Sequence, residues 1–269
     1  MDGSAVDGIT VKILVTFALE NEFAPWRAMH KFRESTWGKA DVFAAEIGVA
    51  DVAVLLTGVG QRPAKLALSK IAWSESGALE YCVSSGLAGG LRPDYSIAQV
   101  IAAREIASEG ARDENGEPKV IPGSASLIPF AAESGATVVN RFYSAERAIG
   151  RADEKKHLGR IADAVEMESF EILAAATDAG IPAVAVRAVS DTAEEPLPLD
   201  MNEIFSDEGR LSIARVAGQV AMHPQALPGL VKLGQQSKKA AESLALFLDR
   251  YIARIAASAQ PIELKAAAQ

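Results

Sequence analysis

An apolar run at residues 184–189 brings three polar side chains of catalytic type to one place. Arg187 lies within the run, and Ser190 and Asp191 follow it directly. Read as a strand of a parallel sheet, which is buried on both faces, the run carries these groups to the rim where such sheets bind ligands. The acid placed there is a candidate for proton-transfer chemistry.

Two other apolar segments end in a similar way. Residues 11–17 lead to Glu22, and residues 81–85 lead to a glycine loop at 86–90. Because the carboxyl ends of parallel strands meet at one edge of a sheet, the pattern predicts that carboxylates, an arginine and a glycine loop gather there.

A further pair of carboxylates opens an alanine-rich run. Glu166 and Glu168 precede a pattern that predicts a helix to residue 179, closed by Gly180 and Pro182. On a regular helix, side chains two positions apart point about 200° away from each other. The two glutamates are therefore not expected to face one ligand together, and one of them is expected to be a supporting residue behind the other.

The elements that position these residues alternate along the chain. Helical patterns at 62–75 and 166–179 fall between apolar runs, which lie near 11–17, 52–57, 81–85, 97–103, 136–139 and 183–189. This alternation predicts a three-layer α/β/α fold with a central mixed, largely parallel sheet. The polar stretches 109–119 and 141–156 are interpreted as loops over the sheet edge.

The carboxyl-terminal part changes character. Residues 192–200 are too rich in proline for a helix or central strand and predict a loop beside the site. Residues 209–222 and 231–255 have helical patterns, which we interpret as a helical extension, about 209–257, of a single domain spanning 1–269. Its apolar face is expected to pack on the core rather than touch a membrane, and much of that face consists of Leu244, Leu246, Phe247 and Ile252.

Charge and composition exclude several functions. The formal net charge is −8 and no lysine or arginine cluster is longer than two residues, so nucleic acid is not an expected partner. The amino terminus lacks the pattern of an export signal, and no run approaches the roughly 18 apolar residues of a membrane span. The single cysteine, Cys82, is interpreted as a small buried hydrophobe of a reducing compartment, so a cytoplasmic location is expected.

Several segments together resemble the purine nucleoside phosphorylase and nucleosidase superfamily, from about residue 11 to 191. The segments, in chain order, are Ala18-Leu19-Glu20-Asn21-Glu22, Thr57-Gly58-Val59-Gly60, Gly86-Leu87-Ala88-Gly89-Gly90-Leu91, Val165-Glu166-Met167-Glu168 and Arg187-Ala188-Val189-Ser190-Asp191. Within the superfamily, the motifs are similar to those of methylthioadenosine/adenosylhomocysteine nucleosidases. The loop at 85–93 and the tail segments 206–210 and 223–230 resemble the hopanoid-associated phosphorylases, a group implicated in removing adenine from adenosylhopane.

The resemblance implies cleavage of the N-glycosidic bond of a purine nucleoside, with adenine as the expected base. The purine is a poor leaving group until a ring nitrogen is protonated, and the sugar acquires oxocarbenium character, as in glycoside hydrolysis. Asp191 matches the family's proton donor, with Ser190 orienting its carboxyl group. The plainer interpretation is a helix-capping or loop aspartate.

Glu22 is the matching base that removes a proton from an attacking water. Arg187 is expected to help hold that water and to stabilise the glutamate's charge. An acid early in a helix also has a purely structural explanation, since it complements the helix dipole.

Other positions match the family's substrate contacts. Glu168 is expected to accept hydrogen bonds from the ribose hydroxyls, and Met167 to form an apolar floor under the sugar. In the glycine loop, which permits close backbone approach, the matching positions are Leu87, Ala88 and Gly89.

The base and the 5′ substituent have their own expected contacts. Adenine is expected against Ala148 and Ile149, with Phe142 or Tyr143 as alternatives for the stacking face or as packing residues. The 5′ pocket is expected to be apolar, which suits a methylthio group or a hopane skeleton alike, and its candidate residues are Leu197, Leu199, Met201 and Phe205.

Phosphate remains open as a co-substrate. Phosphorylase relatives place an arginine and a serine around the glycine loop, whereas this chain has Ser84 and Leu87 at the matching positions. Arg62 or Arg92 could substitute, yet the sequence favours water as the nucleophile.

No metal or organic cofactor is expected, because His30, His157 and His223 are scattered without ligand spacing. The resemblance implies a homodimer, and peripheral contact with a lipid substrate is expected if that substrate is adenosylhopane. Three alternatives stay open: a phosphate-dependent purine nucleoside phosphorylase, a methylthioadenosine/adenosylhomocysteine nucleosidase, and a non-catalytic purine-binding module.

Overall fold

The structure is a computed structural model and describes residues 11–73 and 79–259. The acidic amino terminus therefore lies outside the described residues, as do residues 74 and 75 of the helix predicted over 62–75. The observed helix ends at Leu68, within the described residues, so the predicted end was wrong.

Strands and helices alternate through the first two thirds of the chain. The strands are β1 (Val11–Phe17), β2 (Arg33–Trp37), β3 (Ala40–Ile47), β4 (Ala50–Leu56), β5 (Tyr81–Ser84), β6 (Leu87–Gly90), β7 (Val100–Arg112), β8 (Pro118–Pro122), β9 (Thr137–Ser144), β10 (Ala164–Glu166) and β11 (Ala183–Asp191). The helices are α1 (Glu20–Met29), α2 (Gln61–Leu68), α3 (Ile128–Glu133), α4 (Ala152–Leu158), α5 (Ser169–Asp178), α6 (Met201–Ile204), α7 (Ile213–Met222) and α8 (Leu227–Ala259).

These strands join one sheet in the order β2-β3-β4-β1-β5-β11-β6-β10-β9-β7-β8. The pairings from β4 through β6 in this order are parallel, and antiparallel pairings bring in the edge hairpins. Every residue of β11 is buried, as expected for a central strand that is covered on both faces. The predicted mixed, largely parallel sheet is confirmed.

Helices cover both faces of the sheet and create two apolar layers. On one face, α1, α3 and α8 pack on the central strands through side chains that include Phe23, Trp26 and Phe247. On the other, α2 and α5 pack through Leu68 and Leu173. The three-layer α/β/α prediction is therefore confirmed.

Both stretches interpreted as loops contain regular elements, so those predictions were partly wrong, although residues 113–117 and 145–151 are irregular as predicted. Residues 109–119 belong to the hairpin of β7 and β8, and residues 141–156 contain the end of β9 and the start of α4. The polar residues misled the prediction because edge strands and surface helices expose one side. The hairpin of β2 and β3 was not predicted, because β2 is mostly exposed and its residues form no apolar run.

The tail is helical, but its bounds differ from the prediction. Helix α7 begins at Ile213, and α8 begins at Leu227 and packs on α1 and β11. Leu244, Phe247 and Ile252 are buried as predicted, whereas Leu246 is 55% exposed and was wrongly placed on the core face. Across the described ranges, no helix combines the length and the apolar character that crossing a membrane would require.

Candidate active site

The carboxyl end of β11 is irregular, and this irregularity places two neighbouring polar residues on one side. Along β11, Val189 pairs with Ala88 but Asp191 pairs with Gly89, so the register shifts by one residue at Ser190. In a regular strand, successive side chains point to opposite faces, and a bulge re-aims them. Ser190 and Asp191 consequently line the same cavity.

Both carboxylate oxygens of Asp191 accept hydrogen bonds from the protein. The Ser190 hydroxyl donates to Oδ1 at 2.7 Å, and the Lys155 ammonium donates to Oδ2 at 2.5 Å. The predicted orienting bond from Ser190 is therefore present. Lys155 is a residue that the sequence reasoning missed, because it lay in a stretch interpreted as a polar loop.

Glu22 lies in the first turn of α1. Its Oε2 accepts backbone hydrogen bonds from Ala18 at 3.1 Å and Leu19 at 3.4 Å, so the glutamate also serves the structural role of a helix-terminal acid. Burial raises the pKa of Glu22, while the charge of Arg187 and these backbone N–H groups act in the opposite direction. A carboxylate with a raised pKa is a better proton acceptor near neutral pH.

Arg187 lies beneath the cavity, with 1% of its side chain exposed. Its Nη2 donates to Glu166 Oε2 at 2.7 Å and to the Ser169 hydroxyl at 2.8 Å, and its Nη1 donates to the Ser84 carbonyl at 2.9 Å. Within the described part of the chain, its Nε has no hydrogen-bond partner. Arg187 thus contacts the protein around the site and is not among the residues that line the cavity.

Glu166 and Glu168 do not lie on one helix, so that prediction was wrong. Glu166 ends β10, and α5 begins at Ser169, after Glu168. Glu166 Oε2 accepts from the backbone N–H groups of Glu168 and Ser169 as well as from Arg187, which gives it the supporting position expected. Because the chain turns between the two glutamates, both line the cavity.

The environment of Glu168 favours its neutral form. Burial raises its pKa to about 8, and the neighbouring charge of Glu166 adds to this increase. Two groups lower this pKa. The Arg187 Nη2 lies 4.0 Å from Glu168 Oε2, and the Gly60 N–H donates a hydrogen bond to Glu168 Oε1 at 2.7 Å. A carboxyl group of this kind can both accept and donate hydrogen bonds to a hydroxylated ligand.

The glycine loop lies against both catalytic candidates. Gly86 has φ of +145°, and a Cβ there would be 3.2 Å from Glu22 Oε2 and 3.7 Å from Arg187 Nε. At Gly89, a Cβ would be 3.0 Å from Asp191 Oδ2. Glycine at these two positions therefore leaves room around the carboxylates.

These groups surround a cavity of about 250 Å³. The predicted site residues that line it are Glu22, Leu87, Ala88, Gly89, Ile149, Glu166, Met167, Glu168, Ser190 and Asp191. Residues that are far apart in the chain thus converge on one hollow, and Arg187 supports it from below.

Part of the cavity lining is apolar. Of the residues predicted for a 5′ pocket, Leu197, Met201 and Phe205 line it, whereas Leu199 lines a neighbouring cavity. Helix α8 and the segment before α7 add Leu233 and Leu211, which the sequence reasoning did not identify. These additions come from the tail, whose position relative to the sheet has no local sequence signal.

Ala148 and Ile149 line the cavity as expected, but the two aromatic alternatives do not. Phe142 is fully buried in the core between the sheet and α5, and Tyr143 packs in a separate buried cluster. The aromatic side chain that lines the cavity is Phe205.

The arginines considered for anion binding lie elsewhere. Arg62 lines two other cavities, and Arg92 lies 3.1 Å from Asp163. Ser84 is buried, with its hydroxyl within hydrogen-bond distance of Ser169 and Arg187. Over residues 11–73 and 79–259, no group of three or more His, Cys, Asp or Glu side chains forms a metal-binding cluster.

Comparison with known families gives a match over most of the chain. The model of the family described as the phosphorylase superfamily matches residues 12–221.

Several solved structures share the fold. The 5′-methylthioadenosine/S-adenosylhomocysteine nucleosidase of Helicobacter pylori superposes with a TM-score of 0.69 at 18% identity, over 91% of this chain and 99% of that one. The futalosine hydrolase of the same organism gives the same values. The nucleosidase of Neisseria meningitidis, in complex with methylthio-immucillin-A, gives a TM-score of 0.67 at 20% identity, over 90% of this chain and 98% of that one.

Proposed function

This chain belongs to the phosphorylase superfamily, and we propose that it is a nucleosidase that cleaves the N-glycosidic bond of a purine nucleoside with an apolar 5′ substituent. The observation that carries the proposal is the convergence of Glu22 and Asp191 on one cavity, although they are far apart in the chain. The structural neighbours include proteins named as nucleosidases, which supports the same reaction class.

Asp191 is the proposed proton donor to the base. When the bond between ribose C1′ and the purine breaks, its electron pair goes to the base, and a proton from Asp191 to a ring nitrogen makes that base a better leaving group. The hydrogen bond from Ser190 fixes the orientation of the carboxyl group. Asp191 is 8% exposed and lines the cavity, so its carboxyl group is open to a bound base.

Glu22 is the proposed base for the attacking water. As the water oxygen bonds to C1′, the Glu22 carboxylate takes the proton that the water loses. Arg187 acts as a positioning residue, since its charge lowers the pKa that burial of Glu22 raises. The glycine loop leaves room for the water beside Glu22.

Glu168 and Met167 are proposed to bind the sugar. The carboxyl group of Glu168 is available to the ribose hydroxyls, and Met167 supplies an apolar surface beside it. Glu166 holds the start of α5 in place through two backbone N–H groups, and this fixes the position of Glu168. Adenine is the proposed base, bound against Ile149.

The 5′ substituent is proposed to lie along the apolar part of the cavity lining. This part consists of Leu197, Met201, Phe205 and Leu211. Leu211 is 46% exposed. An apolar group longer than methylthio can therefore extend towards the surface. Adenosylhopane, presented in detergent, and methylthioadenosine are the two substrates to compare, and adenine release from methylthioadenosine alone would exclude the lipid substrate.

Water is favoured over phosphate by the charge of the cavity lining. Four acidic residues line it, Glu22, Glu166, Glu168 and Asp191. The cations beside them are already paired, Arg187 with Glu166, Lys155 with Asp191 and Arg147 with Glu154. A phosphate anion would therefore find no unpaired cation among these groups and would meet repulsion from the ionised carboxylates. We expect the rate of base release to be unchanged when phosphate is added.

The test is chromatographic detection of free base from a panel of purine nucleosides, with and without phosphate. Asp191→Asn is the matched variant, because the amide preserves the size of the side chain. Release of adenine that Asp191→Asn abolishes supports the nucleosidase. Binding of purine nucleosides without any release would instead identify a non-catalytic purine-binding module.

A homodimer is proposed for the assembly. Exposed apolar residues occur on α7 and α8, with Ile213 at 79% and Met222 at 69% exposure. Association of two copies would cover such residues. Sedimentation analysis giving a monomer at micromolar concentration would exclude this assembly.

A further inference from the structure

Helix α4 carries a lysine whose surroundings are unusual. The side chain of Lys155 is 0% exposed, and its ammonium pairs with Asp191, whose side chain is 11% exposed. Lysine is almost never fully buried unless it is paired, because removing its charge from water is costly. The ion pair therefore sits between the protein interior and the cavity, with Asp191 on the cavity side.

The hydrogen bonds of Lys155 account for every proton of its ammonium group. Nζ donates to Asp191 Oδ2, to the Thr192 carbonyl at 3.0 Å and to the Glu195 carbonyl at 2.9 Å. An ammonium has three donors, and a neutral amine has two donors and one lone pair. If the proton directed at Asp191 moved to the carboxylate, the amine would still satisfy both carbonyls, and its lone pair would face the new O–H group.

Both protonation states of the pair are thus satisfied by the same contacts, so a proton can move without rearrangement of the loop at 192–195. We propose that Lys155 is a positioning residue that supplies, through Asp191, the proton taken by the departing base. This inference rests on the proposed nucleosidase function.

The bond between C1′ and the base breaks with its electron pair on the base, a ring nitrogen takes a proton from Asp191, and Lys155 passes a proton to Asp191. Asp191 ends as a carboxylate, Lys155 as a neutral amine, and Glu22 holds the proton that the attacking water lost. After the base leaves, Glu22 releases its proton to solvent, and a solvent proton enters through Asp191, which lines the cavity, and restores the ammonium.

The decisive comparison uses two substrates with the same 5′ group. One is the purine nucleoside that the wild type cleaves fastest, and the other is the corresponding p-nitrophenyl riboside, whose nitrophenolate leaves without protonation. The variant is Lys155→Met, which keeps the length of the side chain and removes its proton. Lys156→Met is the matched control, because Lys156 is the exposed neighbour on the same helix.

We expect Lys155→Met to slow adenine release by about 100-fold or more, while nitrophenol release stays within about threefold of wild type. Lys156→Met should change neither rate. Because the pair acts as a unit, the double variant Lys155→Met/Asp191→Asn should lose no more activity than Asp191→Asn alone. The double variant also removes both buried charges, so its melting temperature shows whether the single variant suffers from an unpaired carboxylate.

An equal loss on both substrates would assign Lys155 a merely structural role and overturn the inference. Wild-type adenine release by Lys155→Met would overturn it as well. If the wild-type protein cleaves neither substrate, the proposed nucleosidase function itself fails, and this result is distinguishable from the other two.

Discussion

The two sides of the cavity differ in their balance of charge. On the side proposed for the base, one carboxylate, Asp191, faces one ammonium, Lys155. On the side proposed for the sugar, Glu22, Glu166 and Glu168 surround a single guanidinium, that of Arg187. One side is therefore close to neutral, and the other has an excess of negative charge.

This difference matches the two demands of glycosidic cleavage. The sugar becomes positively charged in the transition state, and fixed negative groups around it act where the charge develops. Burial raises the pKa of Glu168, and the neighbouring charge of Glu166 adds to this increase. The base needs a proton, and a balanced pair can deliver one without leaving an isolated charge behind.

The largest expected effect is on the sugar side. Glu22→Gln removes the base for water while its amide oxygen can still accept the backbone hydrogen bonds of Ala18 and Leu19. We expect a loss of about 100-fold to 10,000-fold in kcat with both the purine and the nitrophenyl substrate. Steady-state kinetics measures it, with Glu20→Gln as control, because Glu20 is exposed and paired with Arg27. Retention of a tenth of the wild-type kcat would remove Glu22 from the mechanism.

The next effect concerns stability. Arg187→Met leaves the buried carboxylate of Glu166 without its cation, and we expect the free energy of unfolding to fall by about 3–5 kcal/mol. The surface pair of Arg254 with Glu133 provides the control, since Arg254→Met should cost about 1 kcal/mol or less. Urea unfolding of both variants gives the comparison. Equal losses would show that the buried cluster is not the stronger interaction.

A smaller effect is expected in the pH dependence of the free energy of unfolding. The folded pKa of Glu168 is about 8, above its ordinary value of 4.5. Its contribution to stability is therefore fully present below pH 4.5 and is lost as the pH rises through about 8. Glu168→Gln should flatten this decline, which we expect to be on the order of a few kcal/mol.

Unfolding measured across this pH range tests that expectation. Glu171→Gln, in the first turn of α5 and only partly buried, is the control and should keep the wild-type slope. The raised pKa of Glu22 acts in the same direction, so some slope should remain in Glu168→Gln. Identical slopes in Glu168→Gln and the wild type would contradict the assignment.

Much of the fold and of the site could be predicted because the central strands are apolar throughout. The run that became β11 had no polar alternation, so its burial and the position of Asp191 at its end followed from the sequence. The position of Glu166, at the end of β10, was harder to predict, because a three-residue strand is too short to show a period of alternating burial. The alanine-rich pattern of α5 was consequently extended backwards over it.

Lys155 could not be predicted because its burial depends on contacts far along the chain. Its partners, Asp191, Thr192 and Glu195, are 36 to 40 residues away. In the local sequence, Lys155 stands beside Lys156 in a polar helix, and nothing there distinguishes the buried lysine from the exposed one. Similarly, Leu211 and Leu233 reach the cavity only through the packing of the tail.

In the proposed mechanism, the base side of the cavity donates a proton and the sugar side does not. This difference is tested by the rates of Asp191→Asn on the purine nucleoside and on the p-nitrophenyl riboside with the same 5′ group. We expect a loss of about 100-fold or more in adenine release, with nitrophenol release unchanged within about threefold. Equal losses on the two substrates would contradict it.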